Sequence, residues 1–347
     1  MSTMPPVAEM ERAYLRGDPG YNGLFFLGVR TTGIFCRPTC PARKPLPKNV
    51  EYLPSTQAAV AAGYRACKRC RPLDADEQPA WAAGLLAELE GDSAARISDA
   101  DLKSRGIDPA TVRRHFLREY GMTFQAFARA RRLTGALDHL RNGAKIDDAV
   151  FASGYESHSG FREAFARLFG DPPGSGRDRD CVMLSWLPSP LGPLVVGATS
   201  KGVCLLEFSE PLRLEAQLAA VRKTFKLPVV PGTSGHLDSL KRELESYFAG
   251  SLQRFSVPLV YPGTDFQRRV WTQLLKIPYG ETCSYEDIAI AVGQPKAVRA
   301  VGSANGKNRI AIVIPCHRVV NKGGQLGGYG GGLRRKQFLL DLERRHS

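Results

Sequence analysis

Residues 310–320 read IAIVIPCHRVV, an apolar run that ends at Pro315 and opens onto Cys316 and His317. The run is well short of the roughly 20 apolar residues that cross a bilayer as a helix, and it suits a buried strand or core segment. A thiolate, not a thiol, attacks carbon, and a free cysteine with a pKa of about 8.5 is little ionised at neutral pH. A neighbouring imidazole, itself oriented by a further acceptor, is the usual remedy. Adjacent residues do not automatically face one another, so Cys-His by itself more often marks a buried core cysteine than a nucleophile.

Working outward, residues 264–309 read as mainly helical. Residues 182–263 begin as paired strands with Gly/Pro turns (LSWLPSPLGPLVVGATSKGVCLLEF), followed by helices at 212–225 and 237–248. Residues 80–170 look helical throughout, and Val112, Phe116, Phe124, Phe127 and Leu133 recur at a spacing that predicts shared buried faces. Asp108-Pro109 predicts an N-cap and first turn, and Gly121 a break. Gly154 marks the turn of a second helix–turn–helix, with Ser157 or Ser159 at the following N-terminus. Linkers are expected at 73–79 (LDADEQP) and 171–180 (DPPGSGRDRD).

The 347 residues carry a net charge of +14, distributed as +4 in 1–80, zero in 81–180 and +10 in 181–347. A basic surface of this kind raises the local concentration of nucleic acid. The start, MSTMPPVAEMERAYLRGDPG, lacks a basic segment followed by an apolar one, so no secretory signal or membrane span is expected and the compartment is read as cytoplasmic. Four of the eight cysteines crowd into one short stretch. In an intracellular protein that favours metal or catalysis over disulfides. Cys36, Cys40, Cys67 and Cys70 form C-x3-C and C-x2-C pairs separated by 26 residues, a spacing that suits one tetrahedral zinc ion. Cys181, Cys204 and Cys283 have no partners at ligand spacing and are read as core or incidental.

PKAVRAVGSANGKN followed by PCHRVV, with GETCSYEDIA upstream and GGYGGGLRRKQFLLDLE downstream, resembles the O6-alkylguanine-DNA alkyltransferases over nearly all of residues 264–347. Residues 182–263 resemble the ribonuclease-H-like portion of the same family. The resemblance implies that Cys316 accepts the alkyl group, that His317 acts through water as its base, and that Glu343 orients His317. Asn308 aligns with the family's hinge asparagine. Arg299 becomes the finger that fills the stack after guanine is flipped out, and Tyr285 contacts the flipped nucleotide. Tyr329 and the backbone of Val319 and Gly330 line the guanine pocket; some relatives carry Ser at the Gly330 position, which matters little if a backbone N–H contacts guanine O6. Physical chemistry agrees, because a base inside the duplex offers no trajectory to its alkyl carbon and must be extruded. Small residues at Ala297, Ala300, Gly302 and Ser303 allow close approach to a groove, and the flat Arg299 guanidinium can occupy the vacated space. Attack on carbon leaves a thioether, so the reaction is stoichiometric. A cysteine hydrolase would instead turn over, and no oxyanion-hole motif is evident.

VRTTGIFCRPTC with AAGYRACKRC resembles the methylphosphotriester-repair domain of the Ada family over about residues 10–72. It implies that Cys36 is both a zinc ligand and a methyl acceptor, and that Arg43, Arg65 and Arg69 contact DNA phosphates. Zn(II) with four thiolates carries −2, and methylating one sulfur leaves −1. Removing one unit of repulsion near the DNA backbone is worth on the order of 1 kcal/mol. RRHFLREYGMTFQAFARARRL and ASGYESHSGFREAFARLFG resemble the two helix–turn–helix units of AraC-type regulators over about 96–170. The base-reading candidates are Thr111, Arg113 and Arg114 in the first unit, and Ser157 and His158 in the second.

The expected architecture is therefore multidomain, α/β and α. A small zinc-binding α+β domain (1–72) precedes an all-α double helix–turn–helix module (80–170), a ribonuclease-H-like subdomain (181–263) and a winged-helix-like catalytic domain (264–347). The implied activity is single-turnover methylated-DNA–protein-cysteine S-methyltransfer coupled to transcriptional activation. Alkylated double-stranded DNA, promoter DNA and RNA polymerase are the expected partners of a monomer. The alternative is a zinc-containing regulator that senses alkylation damage with little repair of its own.

Overall fold

The computed structural model describes residues 4–73, 79–92, 94–176, 180–209 and 214–347. Helix α1 (Val7–Arg16) stops where Gly17 takes a left-handed φ of 63°. A 3-10 turn (Pro19–Tyr21) leads into a four-stranded sheet of β1 (Phe26–Val29), β2 (Ile34–Cys36), β3 (Val50–Leu53) and β4 (Arg65–Ala66), in the order β3-β1-β2-β4. Helix α2 (Thr56–Ala61) sits between β3 and β4. The parallel β2–β4 register sets Phe35 opposite Ala66, so Cys36 and Cys67 leave neighbouring strands side by side.

The helical segment comprises α3 (Ala80–Gly91), α4 (Asp99–Ser104), α5 (Pro109–Tyr120), α6 (Phe124–Arg141), α7 (Ile146–Ala152) and α8 (His158–Phe169). Asp108 accepts hydrogen bonds from the Ala110 and Thr111 amides at the start of α5, and Gly121 ends that helix in a left-handed conformation. Ser157, rather than Ser159, caps α8. The five apolar residues predicted to share buried faces are all buried, but they divide between two cores. Val112, Phe116, Phe124 and Phe127 pack together with Leu85 and Leu102. Leu133, further along the 18-residue α6, belongs to the large core that joins α7 and α8 to the C-terminal half. A long helix can reach two layers, and residue spacing alone does not say which layer each end meets.

The expected linker at 73–79 falls largely on residues outside those described. Within 171–180, Pro173–Gly176 forms a short helix, α9, so the helical path outlasts the Pro/Gly signal there. Strands β5 (Val182–Leu187), β6 (Leu194–Thr199), β7 (Gly202–Phe208) and β8 (Val229–Pro231) form a sheet in the order β7-β6-β5-β8, antiparallel except for β5 with β8. Helices α10 (Leu214–Phe225) and α11 (Gly235–Phe248) accompany it. Trp186 on β5 joins the sheet to the helical segment, its ring centroid 4.9 Å from Tyr120 and 5.9 Å from Phe127.

The remaining elements are α12 (Asp265–Leu274), β9 (Cys283–Ser284), α13 (Tyr285–Ala291), α14 (Val298–Asn305), β10 (Val319–Val320) and α15 (Leu333–Arg345). The apolar run before Pro315 is a buried core segment and not a strand. It touches β7 through a single bridge, where the Leu206 amide donates to the Arg309 carbonyl and the Ala311 amide donates to the Leu206 carbonyl. Ile312 then adopts a φ of 69°, costly for a β-branched residue, and this ends any extended ladder. Ile310, Ile312 and Ile314 are each at most 1% exposed, and their packing holds the bend. Among the described residues, no helix is long and apolar enough to cross a membrane.

Candidate functional site

Cys316 begins a 3-10 turn, Cys316–Arg318, directly after the bent core segment. Its side chain is buried yet lines a cavity of about 640 Å³, within the range of about 300–1,000 Å³ typical of ligand pockets. Asn308, Asn305, Tyr285, Tyr329 and Gly330 line the same cavity. Val319 and Arg299 do not appear in this lining: Val319 lies in β10, paired with Cys283, and Arg299 is exposed on α14. The Asn308 side chain folds the approach to the cysteine. Its Nδ2 lies 3.1 Å from Cys316 Sγ and 2.9 Å from the Ile314 carbonyl, while its Oδ1 accepts from the Ile310 amide at 2.9 Å.

Burial pushes the Cys316 thiol up, opposed by the Asn308 hydrogen bond and the nearby Lys336 charge. His317 is fully buried, and burial lowers its pKa so that the ring rests neutral. Its Nε2 lies 2.8 Å from Glu343 Oε1, while its Nδ1 has no partner among the described residues. Glu343 is a hub that accepts five hydrogen bonds. The donors are His317, Tyr247 (2.7 Å), Arg318 through Nε (2.8 Å) and Nη2 (3.0 Å), and the Gly280 amide (3.3 Å). Burial alone would raise this carboxyl, but the bonds and charges of His317 and Arg318 outweigh it and hold the group at about 2. Fixed as an anion, Glu343 can only accept, and the His317 ring is one of its donors.

The four N-terminal cysteines converge as their spacing predicts. Their sulfurs all lie within 4.8 Å of one another, and Cys40 Sγ is 3.8 Å from Cys67 Sγ. With Zn–S bonds of about 2.3 Å, a tetrahedron has an edge close to this distance, so the donor set fits zinc in both chemistry and size. Hydrogen bonds from Cys36 and Cys70 push the Cys40 thiol down, and the reciprocal bond from Cys40 drives Cys36 upward. Crowded sulfurs resist sharing negative charge, and a dication relieves that conflict. Arg43, Arg65 and Arg69 are all exposed around this centre.

The helical segment treats its candidates unevenly. Arg113 is exposed, whereas the Thr111 hydroxyl donates to Asp108 and accepts from the exposed Arg114, which ties it into the helix cap. Ser157 serves as the α8 cap, and His158 lies 3.6 Å from Asp147. Cys181 and Cys204 are buried in the C-terminal half, with thiols pushed by burial to about 11 and about 12, as befits core residues.

Comparison with known proteins accounts for the same segments. Residues 9–73 match the metal binding domain of Ada, and 103–179 match a helix-turn-helix domain. Residues 182–261 and 265–345 match the ribonuclease-like and DNA binding domains of 6-O-methylguanine DNA methyltransferase. The chain is 33% identical over 344 residues to the bifunctional transcriptional activator/DNA repair enzyme Ada of Escherichia coli, covering 96% of this chain and 95% of that protein. This chain belongs to the Ada family. It is also 33% identical over 335 residues to the regulatory protein ada of Salmonella typhimurium, covering 94% and 93%. A crystal structure of Mycobacterium tuberculosis OGT in complex with DNA is 43% identical, covering 48% of this chain and 95% of that one, with a TM-score of 0.42. The Ada-family metal-binding match and the four converging sulfurs identify zinc as the cofactor, one ion held by Cys36, Cys40, Cys67 and Cys70.

Sequence reasoning missed four residues of this Ada-family site. Lys336 is fully buried and donates to the Val319 carbonyl; burial lowers its amine to about 8, against the pull of Cys316. Arg318 clamps Glu343 and also donates to the Ile277 carbonyl at 2.6 Å. Asn305 Nδ2 reaches the Cys316 carbonyl at 3.3 Å. Tyr247 reaches Glu343 from α11. A cation two residues past Cys316 was a readable signal for Arg318. Tyr247 had none, since it lies 96 residues from its partner.

Proposed function

We propose that this chain repairs alkylated double-stranded DNA by irreversible transfer of the O6-alkyl group of guanine to Cys316, and of a phosphotriester methyl group to Cys36. One observation carries the first half: a buried cysteine sulfur opens into a base-sized cavity 3.1 Å from the Asn308 amide, beside a buried His317–Glu343 pair. Extruded guanine enters between Tyr285 and Tyr329, with the Gly330 backbone at its edge. The Cys316 proton passes toward His317 Nδ1 through a bridging water, and Glu343 steadies the imidazolium that forms. Sγ then bonds to the alkyl carbon as the carbon–O6 bond breaks. The bonding pair departs with the base, and the relayed proton restores neutral guanine. Asn308 and the Lys336 cation stabilise the thiolate before attack. The thioether has no leaving path, so each Cys316 acts once.

Exposed Arg299 on α14 fills the vacated stack, and the net +10 of residues 181–347 holds the phosphate backbone nearby. Zinc supplies Cys36 as a thiolate, and Arg43, Arg65 and Arg69 hold the phosphates around it. The relative's printed activity as a transcriptional activator, together with the helix–turn–helix segments, supports regulation at promoter DNA, and we propose that the chain acts there as a monomer through RNA polymerase.

The test offers duplex DNA with radiolabelled methyl either on guanine O6 or on the phosphate. One equivalent per chain is expected on the Cys316 peptide from the first substrate, and on the Cys36 peptide from the second. Label on neither peptide, or several equivalents processed per chain, overturns the reading.

A further inference from the structure

Helix α15 carries both Lys336 and Glu343, yet it begins badly. Its N-cap is Gly332, which has no side chain to offer, and its first turn holds no acid. Arg334, Arg335 and Lys336 follow one another at the positive end of the helix dipole, an unfavourable placement for cations. The missing cap comes from residue 18. Asp18 is only 7% exposed; its Oδ2 accepts from the Leu333 amide at 2.8 Å while its Oδ1 accepts from the Gly20 amide at 2.9 Å. Arg334 Nη1 returns the contact by donating to the Gly20 carbonyl at 2.9 Å. The fit is close. A Cβ added to Gly332, whose φ is 93°, would lie 2.0 Å from Asp18 Oδ1, and one added to Gly20 would lie 3.1 Å from the Arg334 Cβ.

Asp18 lies in the same sheet-containing segment as the four-sulfur centre, on the turn between α1 and β1. Just before the helix it caps, Tyr329 and Gly330 line the Cys316 cavity. We infer that Asp18 is a positioning residue for the Cys316 site, supplied across the chain by the zinc-bearing segment. Docked, it fixes the first turn of α15 and thereby the neighbouring glycine-rich loop, Lys336 and the cavity wall. Released, that turn frays and the loop loosens, so the state of the zinc-bearing segment is felt at the second acceptor. This inference rests on Cys316 as the acceptor proposed above.

The test uses full-length, zinc-loaded protein with Asp18→Ala, Asp18→Asn and Arg334→Ala. Single-turnover methyl transfer to Cys316 is measured at saturating duplex, alongside hydrogen exchange of residues 333–336. Asp18→Ala is expected to slow transfer about five-fold with unchanged DNA affinity and full zinc content, and to speed exchange of those amides. Asp18→Asn, which keeps one carbonyl acceptor, is expected to recover part of both. Wild-type rate and wild-type exchange in Asp18→Ala overturn the inference. Should Asp18→Ala lose its zinc, Arg334→Ala decides: faster exchange with about two-fold slower transfer supports the contact, and no change in either refutes it. Failure of the wild type to methylate Cys316 overturns the proposed function instead, and the exchange measurement still judges the Asp18 contact.

Discussion

Replacing Glu343 by Gln removes the charge from the centre of the buried network while keeping its shape. Arg318, whose side chain is 8% exposed, then loses its counterion, and an amide NH2 faces donors where a carboxylate oxygen had accepted. Breaking a buried ion pair from one side costs about 3–5 kcal/mol. The acid–base equilibrium gives a separate figure. The Glu343 pKa falls from 4.5 to about 2 on folding, and at about 1.4 kcal/mol per unit this is a stabilisation of roughly 3 kcal/mol. The sign follows from the depressed value: the unfolded chain binds the proton more readily, so the stabilisation is complete above pH 4.5 and is lost as the pH falls toward 2. Burial lowers the His317 pKa while the Glu343 bond and charge oppose that lowering, so the Gln variant loses this support as well. Trp271, buried beside α14 with its Nε1 2.9 Å from the Ala304 carbonyl, reports this core alone when Trp81 and Trp186 are replaced by Phe. Urea unfolding by its fluorescence is expected to show Glu343→Gln less stable by about 3 kcal/mol at pH 7, with the gap shrinking between pH 5 and pH 3. A loss below 1 kcal/mol at pH 7, or a gap that stays constant across the acid range, refutes the hub assignment.

Asn308→Ala removes the amide 3.1 Å from Sγ and the ties that fold residues 310–314, so single-turnover transfer is expected to slow by about 10- to 100-fold, as befits a hydrogen bond to a charged group. Lys336→Met removes the cation that favours the Cys316 thiolate; peptide-resolved alkylation of Cys316 should then shift toward higher pH, and an unshifted profile argues against an electrostatic role. Chelation of zinc leaves four crowded sulfurs without the ion that reconciles them. Hydrogen exchange is expected to show residues 4–73 losing protection while Trp271 fluorescence stays native, and retained protection at 4–73 counts against zinc as their staple.

The features legible in the sequence are those governed by neighbours a few positions away. Cysteine spacing exposed the zinc ligands, because each close pair needs only one turn to converge. Asp108-Pro109 and Gly121 bounded α5, because capping is a local exchange of hydrogen bonds. The Cys316–His317 pair and its family resemblance pointed to the cavity cysteine proposed as the acceptor and to Glu343, which lies 2.8 Å from His317. Tertiary structure decided what depended on distant partners. The run before Cys316 bends at Ile312 and remains a core segment, since packing outweighs its strand propensity. Leu133 leaves the core of the first helix–turn–helix for one that the second unit shares with the C-terminal half. Tyr247 and Gly280 complete the Glu343 network, and Asp18 caps a helix 315 residues away. A buried donor takes whatever acceptor the packed fold brings to it, and no pattern of adjacent residues records which one that will be.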